Sequence, residues 1–284
     1  MIALSSMLTN PNRVLIFDTT MRDGELMPGV RMNLTDKIRL AQLLEAMGAD
    51  IIEVSYPGQS AKDFEEISAI APLIKQATIC GLASSKETDI VRVAQGIQAA
   101  AKGRIHTYTN VGLNREDKLS QGQTLEKIRV SVALARNYCD DVEWSAFDAT
   151  RSDRDFLCKA IETAIASGAN TVNIPDSLGK ATPEEFSRLI DLIFNWVPNL
   201  ERAVVSVHCH DDLGMAVANS LAALQAGARQ IECSINGLGA SKGNAALEQI
   251  VREIVKQNKY QINLNPSLLE RASELVGEIT LFCE

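Results

Sequence analysis

Eight short apolar runs typical of β-strands alternate along this chain with eight longer amphipathic segments typical of α-helices. The predicted strands are residues 13–18, 50–55, 77–82, 104–109, 141–146, 170–175, 203–208 and 229–235. The predicted helices are residues 35–47, 61–74, 86–101, 124–137, 153–167, 183–195, 213–226 and 244–257. Eight strand–helix units in about 250 residues are what a (β/α)₈ barrel needs, so we predict an α/β fold of the TIM-barrel type. The alternative is an open doubly wound sheet, which usually has a glycine-rich turn after its first strand, and residues 18–24 contain no such turn.

Residues at the ends of the periodic segments support these boundaries. Three glycines are expected to end a helix just before a strand: Gly48, Gly168 and Gly227. Three threonines are predicted N-caps: Thr35, Thr124 and Thr182. No low-complexity linker interrupts the pattern, so we predict one barrel domain over residues 1–260. We expect residues 261–284 to begin a C-terminal linker with a helix near Pro266, without a regulatory domain.

The composition narrows the class of protein. The chain has 284 residues, of which 46% are hydrophobic, and a formal net charge of −8, which argues against a nucleic-acid partner. No apolar run approaches the ~20 residues of a membrane span, so no membrane partner is expected. Residues 1–12 do not resemble a secretory signal. The six cysteines show no Cys-x-x-Cys spacing and are interpreted as reduced thiols, so we predict a cytoplasmic protein.

Two histidines at the end of the predicted seventh strand indicate a metal site. Residues 205–212 read VSVHCHDD, and side chains two apart on a strand point to the same side, so His208 and His210 converge while Cys209 faces the outer helices. Asp23 lies in the turn after the first strand. Two imidazoles and a carboxylate suit Mg²⁺, Mn²⁺ or Zn²⁺. An isolated His-x-His is more often a packing feature, but Asp23 and the polar run at 236–244 favour a metal.

Other polar or aromatic candidates also follow strand ends, where the chemistry of a (β/α)₈ barrel takes place. They are Arg22 and Glu25 after the first strand, His106 and Tyr108 on the fourth, Ser145 and Phe147 on the fifth, Asp176 and Ser177 after the sixth, and Asn244 after the eighth. Their position predicts a single site at one rim of the barrel.

Several motifs resemble those of the isopropylmalate synthase and homocitrate synthase family of metal-dependent acyl-CoA condensing enzymes and lyases. The matching segments read FDTTMRDGE at 17–25, RIHTY at 104–108, DATRS at 148–152, NIPD at 173–176, VHCHDDLG at 207–214 and GNAALE at 243–248. The resemblance extends through residue 256 and implies an acyltransferase that condenses acetyl-CoA with a 2-oxo acid.

The resemblance also implies roles around a divalent metal. Its ligands would be Asp23, His208 and His210, with Asn244 as a nearby or weaker ligand. The metal would chelate the carbonyl and carboxylate oxygens of the 2-oxo acid, which makes the keto carbon electrophilic. Arg22 would neutralise the negative charge that builds on the oxygen, because its planar guanidinium suits an oxyanion.

The remaining implied roles concern the two substrates and the partner subunit. The residues assigned to the 2-oxo acid are Arg22, Tyr108, Ser145, Phe147 and Ser177. The residues assigned to acetyl-CoA are Gly239, Ser241, Lys242 and Gly243. Glu25 and His106 are the candidates for the base that deprotonates acetyl-CoA. Family members usually continue into a subdomain that contributes groups to a partner subunit, so we expect a homodimer.

Structural roles compete with these catalytic ones. Arg22 and Asp23 could pair with each other and cap the barrel, and His106 could be a hydrogen-bonded histidine of the barrel interior. Lys242 could simply be solvated. Glu53 is a carboxylate inside an apolar strand and is expected to anchor a polar network.

The chain departs from the family pattern at the substrate rim. Leu26 stands where the family usually has Gln, Phe147 where it has a catalytic Glu, and Ser177 where it has Thr. Residues 240–242 read ASK and lack the usual Glu–Arg pair. These changes favour a more apolar 2-oxo acid, including an aromatic one such as phenylpyruvate, beside an ordinary branched-chain substrate. A lyase or aldolase of the same family and a metal-binding paralogue without activity are the alternative functions.

Overall fold

The computed structural model describes residues 10–113 and 118–280. Eight parallel strands follow one another around a closed barrel, and β8 pairs with β1 to complete it. The strands are β1 Leu15–Asp18, β2 Ile51–Ser55, β3 Thr78–Ala83, β4 Gly103–Asn110, β5 Val142–Phe147, β6 Thr171–Asp176, β7 Val204–Cys209 and β8 Gln230–Cys233. The predicted (β/α)₈ barrel is confirmed, and each predicted strand overlaps an observed one.

Nine α-helices occur within the described residues. They are α1 Leu34–Met47, α2 Ala61–Ile70, α3 Glu87–Gly96, α4 Gln121–Tyr138, α5 Arg154–Ala166, α6 Pro183–Trp196, α7 Ala216–Gln225, α8 Leu247–Gln257 and α9 Leu269–Thr280. The prediction over 61–74 is too long, because Pro72 lacks the N–H that would continue α2. The prediction over 213–226 starts too early, because Gly214 has a left-handed φ of 69°. In the described part of the chain, no helix has the length and apolar character needed to cross a membrane.

The N-caps show where local pattern reading succeeds and fails. Thr182 is the N-cap of α6, as predicted, and forms a capping box. The predictions for Thr35 and Thr124 are wrong, because Asn33 caps α1 and Ser120 caps α4. Both helices begin before the apolar periodicity becomes visible, so the capping side chain lies upstream of the first apolar residue.

The helix predicted near Pro266 is present as α9, preceded by a 3₁₀ turn over Pro266–Leu268. Leu269, Ala272 and Val276 of α9 are buried. Asn236, in the turn after β8, donates from Nδ2 to the carbonyl oxygen of Ser273 at 3.0 Å. The C-terminal helix is therefore packed against the same end of β8 that carries the site described below.

A large apolar core fills the space between the barrel and its helices, whereas the barrel interior is partly polar. Near the N-terminal ends of the strands, Arg104 is only 1% exposed. Its Nη1 donates to Glu143 at 2.7 Å and to Gln230 at 2.9 Å, and its Nη2 donates to Asp141 at 3.0 Å. The bond to Gln230 joins β4 to β8, two strands that do not pair with each other.

Candidate active site

A cavity of about 810 Å³ opens at the C-terminal ends of the strands. The predicted site residues that line it are Arg22, Asp23, Glu25, His106, Tyr108, Ser145, Phe147, Ser177, His208, His210 and Ser241. The predicted residues that do not line it are Asp176, at the end of β6, and Gly239, Lys242, Gly243 and Asn244, in the segment after β8. The fold thus brings together side chains that the sequence distributes over six strand ends.

Asp23, His208 and His210 form the cluster that the sequence predicts. One oxygen of Asp23 and one ring nitrogen of each histidine all lie within 4.8 Å of one another. His208 Nε2 lies 4.0 Å from Asp23 Oδ2, and the two imidazole centroids are 5.0 Å apart. His208 Nδ1 lies 2.8 Å from Glu232 Oε2, so this carboxylate orients the ring and leaves Nε2 free to ligate.

The donor set beside this cluster fits a divalent cation. Asn244 donates from Nδ2 to Asp23 Oδ2 at 2.7 Å. Its Oδ1 and the Nδ1 of His210 are both buried without a hydrogen-bond partner among the described residues. An unsatisfied buried polar atom costs about 1–3 kcal/mol, a cost that a bound cation would remove. A carboxylate, an amide oxygen and two imidazoles also match the ligand preferences of Zn²⁺ or Mn²⁺. Mg²⁺ prefers oxygen ligands, so it would match a site with fewer nitrogen ligands better.

The electrostatics favour the forms of Asp23 and His210 that can ligate a cation. Burial lowers the pKa of His210 to about 4, with a further contribution from His208, so its imidazole is neutral at pH 7. Burial alone would raise the pKa of Asp23, but Arg22 and the two histidines hold that pKa well below its usual range. Burial lowers the pKa of His208, but the hydrogen bond to Glu232 and the negative charge of Glu232 raise it by more. The net effect is a raised pKa.

Arg22 is held between two carboxylates. Its Nε donates to Glu53 Oε2 at 2.6 Å, and its Nη1 donates to Asp23 Oδ1. The pairing of Arg22 with Asp23 considered in the sequence analysis is therefore present. Within the described part of the chain, Nη2 has no hydrogen-bond partner, and the side chain lines the cavity. Arg22 can thus be fixed by the protein and still offer a charged donor to an anionic ligand.

His106 is buried and uses both ring nitrogens. Nδ1 lies 2.8 Å from Glu53 Oε1, and Nε2 lies 2.7 Å from Ser145 Oγ. Ser145 Oγ also accepts a hydrogen bond from Asn173 Nδ2 at 2.8 Å. Two expectations are confirmed, namely a hydrogen-bonded His106 and a Glu53 that anchors a polar network. Burial lowers the pKa of His106, but the hydrogen bond and charge of Glu53 produce a net rise.

Glu25 lines the cavity, yet its carboxylate is engaged elsewhere. It accepts from the backbone N–H of Met32 at 2.8 Å and from Lys37 Nζ. Lys37 is fully buried and also donates to Glu66 at 2.7 Å. This cluster ties the loop after β1 to α1 and α2. The contacts favour a structural role for Glu25, and its role as a base stays a prediction.

One side of the cavity is an aromatic wall, formed by Tyr56, Tyr108 and Phe147. The ring centroids of Tyr108 and Phe147 are 6.3 Å apart, and those of Tyr56 and Tyr108 are 6.5 Å apart. Phe147 is 45% exposed, and Leu26, which also lines the cavity, is 57% exposed. Large apolar side chains without cover at a cavity mouth indicate a surface that an apolar ligand group can bury.

Ser177 follows β6 and lines the cavity. Its Oγ accepts from the backbone N–H of Asp148 at 3.0 Å. The hydroxyl hydrogen is therefore available to an acceptor such as a ligand carboxylate. Asp148 has a left-handed φ of 65° and receives two hydrogen bonds of 2.8 Å from Arg151, which hold the loop after β5 in place.

The loop after β8 closes beside the cluster of Asp23, His208 and His210. Ser241 Oγ donates to Asp212, and Gly243 accepts from the backbone N–H of Asp211 at 2.9 Å. Gly243 has a φ of 100°, and a Cβ there would lie 2.3 Å from the carbonyl oxygen of Gly237, so only glycine fits. Lys242 is exposed at the tip. Solvation and contact with an acyl-CoA are both compatible with that position.

Sequence reasoning missed Glu232, Asn173 and Tyr56 as site residues. Glu232 lies beside His208 in the β7–β8 register, and Asn173 lies beside Ser145 in the β5–β6 register. A polar residue at an inward position of an apolar strand is the signal that could have found these two. Tyr56 follows β2 in a loop, where the sequence carries no comparable signal.

Comparison with known proteins assigns the family. The model of the HMGL-like family matches residues 13–276, and the chain belongs to this family. It is 48% identical over 280 residues to a 2-isopropylmalate synthase of Afipia carboxidovorans, which covers 96% of this chain and 54% of that protein. A 2-isopropylmalate synthase of Nitrobacter hamburgensis gives the same identity and coverage. The chain spans about half the length of these curated relatives.

Solved structures with this fold are more distant in sequence. Hydroxymethylglutaryl-CoA lyase from Pseudomonas aeruginosa matches with a TM-score of 0.77 at 22% identity, over 94% of this chain and 93% of that one. The carboxyl transferase domain (Y628A) of Rhizobium etli pyruvate carboxylase matches with a TM-score of 0.76 at 18% identity, over 99% of this chain and 52% of that one. Proteins with such different names share the fold, so the fold alone does not identify the activity of this chain.

Proposed function

We propose that this chain is the catalytic barrel of a metal-dependent acyltransferase that condenses acetyl-CoA with a 2-oxo acid, as 2-alkylmalate synthases do. The observation that carries the proposal is the cluster of Asp23, His208 and His210 with the unpartnered Oδ1 of Asn244. The 48% identity to proteins named 2-isopropylmalate synthase supports the same reaction class.

The metal-binding residues are Asp23, His208, His210 and Asn244. A divalent cation bound there supplies Lewis-acid polarisation of the substrate carbonyl. Glu232 holds His208 in the orientation that ligation requires, and Arg22 presents Nη2 to the anionic end of the 2-oxo acid. Because Glu53 and Asp23 fix the guanidinium before the substrate arrives, little reorganisation is needed as oxyanion charge develops.

His106 is the proton acceptor that the contacts favour over Glu25. Glu53 raises its basicity, whereas Glu25 is engaged by a buried lysine. Since Nδ1 of His106 faces Glu53 and Nε2 faces Ser145, a proton taken from acetyl-CoA would reach the imidazole through the Ser145 hydroxyl.

The aromatic wall defines the substrate class in this proposal. Tyr108 and Phe147 present ring faces and edges to the cavity, and Leu26 extends the apolar surface. An aromatic 2-oxo acid such as phenylpyruvate would bury its ring against this wall, while Ser177 donates to its carboxylate. A branched-chain 2-oxo acid would cover less of it. Acetyl-CoA would lie along the loop after β8, near Ser241 and Lys242, and the active form would be a homodimer.

The test is release of free thiol from acetyl-CoA in the presence of pyruvate, 2-oxoisovalerate, 2-oxoglutarate or phenylpyruvate. Thiol should appear only with both a divalent metal and a 2-oxo acid, fastest with phenylpyruvate, and mass spectrometry should detect the condensed acid. The same protein stripped of metal is the control. Cleavage of a malate-type acid without net condensation would favour a lyase, and no thiol with any 2-oxo acid would remove the proposal.

A further inference from the structure

The C-terminal helix α9 contacts the loop after β8 (residues 234–246) through a reciprocal pair of hydrogen bonds. Asn236 Nδ2 donates to the carbonyl oxygen of Ser273 at 3.0 Å, and Ser273 Oγ donates in return to Asn236 Oδ1. Asn236 is exposed, whereas α9 is held in place by its buried apolar side chains, which include Ala272 and Val276. The pair therefore ties an exposed turn of the loop to a helix that is packed against the molecule.

The backbone at Asn236 adopts a conformation that needs support. Its φ is 56°, and that of the following Gly237 is 65°. This left-handed region costs free energy for residues other than glycine, although asparagine tolerates it better than most. The backbone N–H of Asn236 donates to the two carboxylate oxygens of Glu248, at 3.0 and 3.2 Å, in the first turn of α8. Contacts from α8 and from α9 thus stabilise the same turn.

The turn at Asn236 is bonded directly to Asn244. The carbonyl oxygen of Gly237 accepts from the backbone N–H of Asn244 at 2.9 Å, and that of Leu238 accepts from Asn244 Nδ2 at 3.2 Å. The same Nδ2 donates to Asp23 Oδ2 at 2.7 Å. A displacement of Gly237 or Leu238 would therefore move the Asn244 amide relative to the Asp23 carboxylate.

We propose that α9 positions the Asn244 amide beside Asp23, with Ser273 and Asn236 as positioning residues. Neither of these two side chains lines the cavity. The effect passes from Ser273 to the turn at Asn236, and from there through Gly237 to Asn244. That the Asn244 amide ligates a cation rests on the proposed function, whereas the support of the loop by α9 does not.

The helix α9 contains its own control residue. Thr280 also bears a hydroxyl, but its Oγ1 donates to the carbonyl oxygen of Val276 at 2.7 Å, within the same helix. Thr280→Ala therefore removes a hydroxyl from α9 without changing a bond to the loop. Ser273→Ala removes the hydroxyl that donates to Asn236. Alanine has a higher helix propensity than serine, so a loss caused by Ser273→Ala could not be attributed to a weaker helix.

The experiment uses the full chain without substrate and measures amide hydrogen exchange of residues 234–246 and Mn²⁺ affinity by titration calorimetry. Asn236→Gly removes both side-chain bonds and keeps a residue suited to the left-handed backbone. It should speed exchange in the loop and weaken Mn²⁺ binding by about 3- to 10-fold, the size of one or two net hydrogen bonds. Ser273→Ala should produce a smaller change in the same direction. Ser273→Thr, which keeps the hydroxyl, and Thr280→Ala should match the wild-type protein.

A double variant tests whether the two residues act together. Ser273→Ala added to Asn236→Gly should cause no further loss, because the Ser273 hydroxyl then has no partner in the loop. Unchanged loop exchange in Ser273→Ala, an equal change in Thr280→Ala, or additive losses in the double variant would overturn the inference.

The same measurements separate this inference from the proposed function. If the loop loosens and Mn²⁺ binding weakens as expected while no 2-oxo acid supports thiol release, the role of α9 stands and the condensation proposal fails. If the wild-type protein binds no divalent cation, the proposed metal site fails, and hydrogen exchange in the loop alone decides the role of α9.

Discussion

The two ends of the barrel interior each contain a buried arginine, and the two arginines are partnered differently. At the N-terminal end, Arg104 is 1% exposed and uses both terminal nitrogens on protein acceptors, while its Nε is enclosed without a partner. At the C-terminal end, Arg22 has a side chain that is 12% exposed and uses Nε and Nη1 on Glu53 and Asp23. Its Nη2 has no hydrogen-bond partner among the described residues, and the side chain lines the cavity that holds Asp23, His208 and His210.

This difference separates polar groups that hold the barrel together from polar groups that await a ligand. The acceptors around Arg104 link β4, β5 and β8, so its hydrogen bonds stabilise the fold. Near Arg22, Asn244 Oδ1 and His210 Nδ1 also lack partners among the described residues. Unsatisfied buried groups cost free energy, and a ligand bound in the cavity would offset that cost for these two atoms.

The largest expected effect tests the C-terminal end directly. His208→Ala or His210→Ala removes one proposed metal ligand and should abolish 2-oxo-acid-dependent thiol release, because the remaining ligands would no longer bind the cation tightly. The thermal unfolding temperature without metal should change little, since neither imidazole belongs to the apolar core. Titration calorimetry with Mn²⁺ or Zn²⁺ measures the lost affinity.

Gln230→Ala is the matched change at the N-terminal end. It removes a group bonded to Arg104, Glu143 and Ser206, so it should lower the unfolding temperature and leave metal affinity unchanged. Full activity with unchanged metal affinity in both histidine variants would show that the cluster is not the metal site.

A smaller effect comes from changing each arginine to lysine, which keeps the charge and removes the planar fork. Arg22→Lys should reduce kcat by about 10²-fold or more if Nη2 meets developing oxyanion charge. Arg104→Lys should leave kcat of the folded protein unchanged and lower the free energy of unfolding by about 2 kcal/mol, through lost hydrogen bonds to charged groups. Steady-state kinetics and urea unfolding measure both quantities. A change in KM alone for Arg22→Lys would assign it to ground-state binding.

The alternation of strand and helix predicted the barrel because the spacing of apolar residues changes in the same way in each of the eight units. An error in a single boundary therefore does not alter the topology. His208 and His210 were predictable for the same local reason, since two residues on one strand share a face. Helix starts were less predictable. Asn33 and Ser120 cap α1 and α4 from positions upstream of any apolar pattern.

Contacts across the barrel could not be read from local pattern. The bond between Glu53 and His106 joins residues 53 apart on strands that are not neighbours. The contacts of Lys37 could not be read from local pattern either. Its ammonium lies between Glu25 and Glu66, so the Glu25 carboxylate is engaged and is disfavoured as the base. The sequence names the ionisable residues, but their partners depend on how the barrel closes and how its helices pack.

The smallest expected effect concerns the aromatic wall, where the site departs most from the family pattern. Phe147→Glu places a carboxylate beside Tyr108, at the mouth of the cavity, and a large apolar 2-oxo acid would have to desolvate it. The cost is on the order of 1–3 kcal/mol, which corresponds to roughly a 10- to 100-fold loss in kcat/KM for phenylpyruvate. A branched-chain substrate such as 2-oxoisovalerate leaves room for water beside the carboxylate and should lose less. Phe147→Leu is the matched control, because it keeps an apolar wall and should preserve the order of the two substrates. The measurement is the ratio of kcat/KM for phenylpyruvate and 2-oxoisovalerate in all three proteins. If Phe147→Glu leaves that ratio unchanged, Phe147 does not contact the substrate side chain, and the aromatic wall belongs to the structure of the rim and not to specificity.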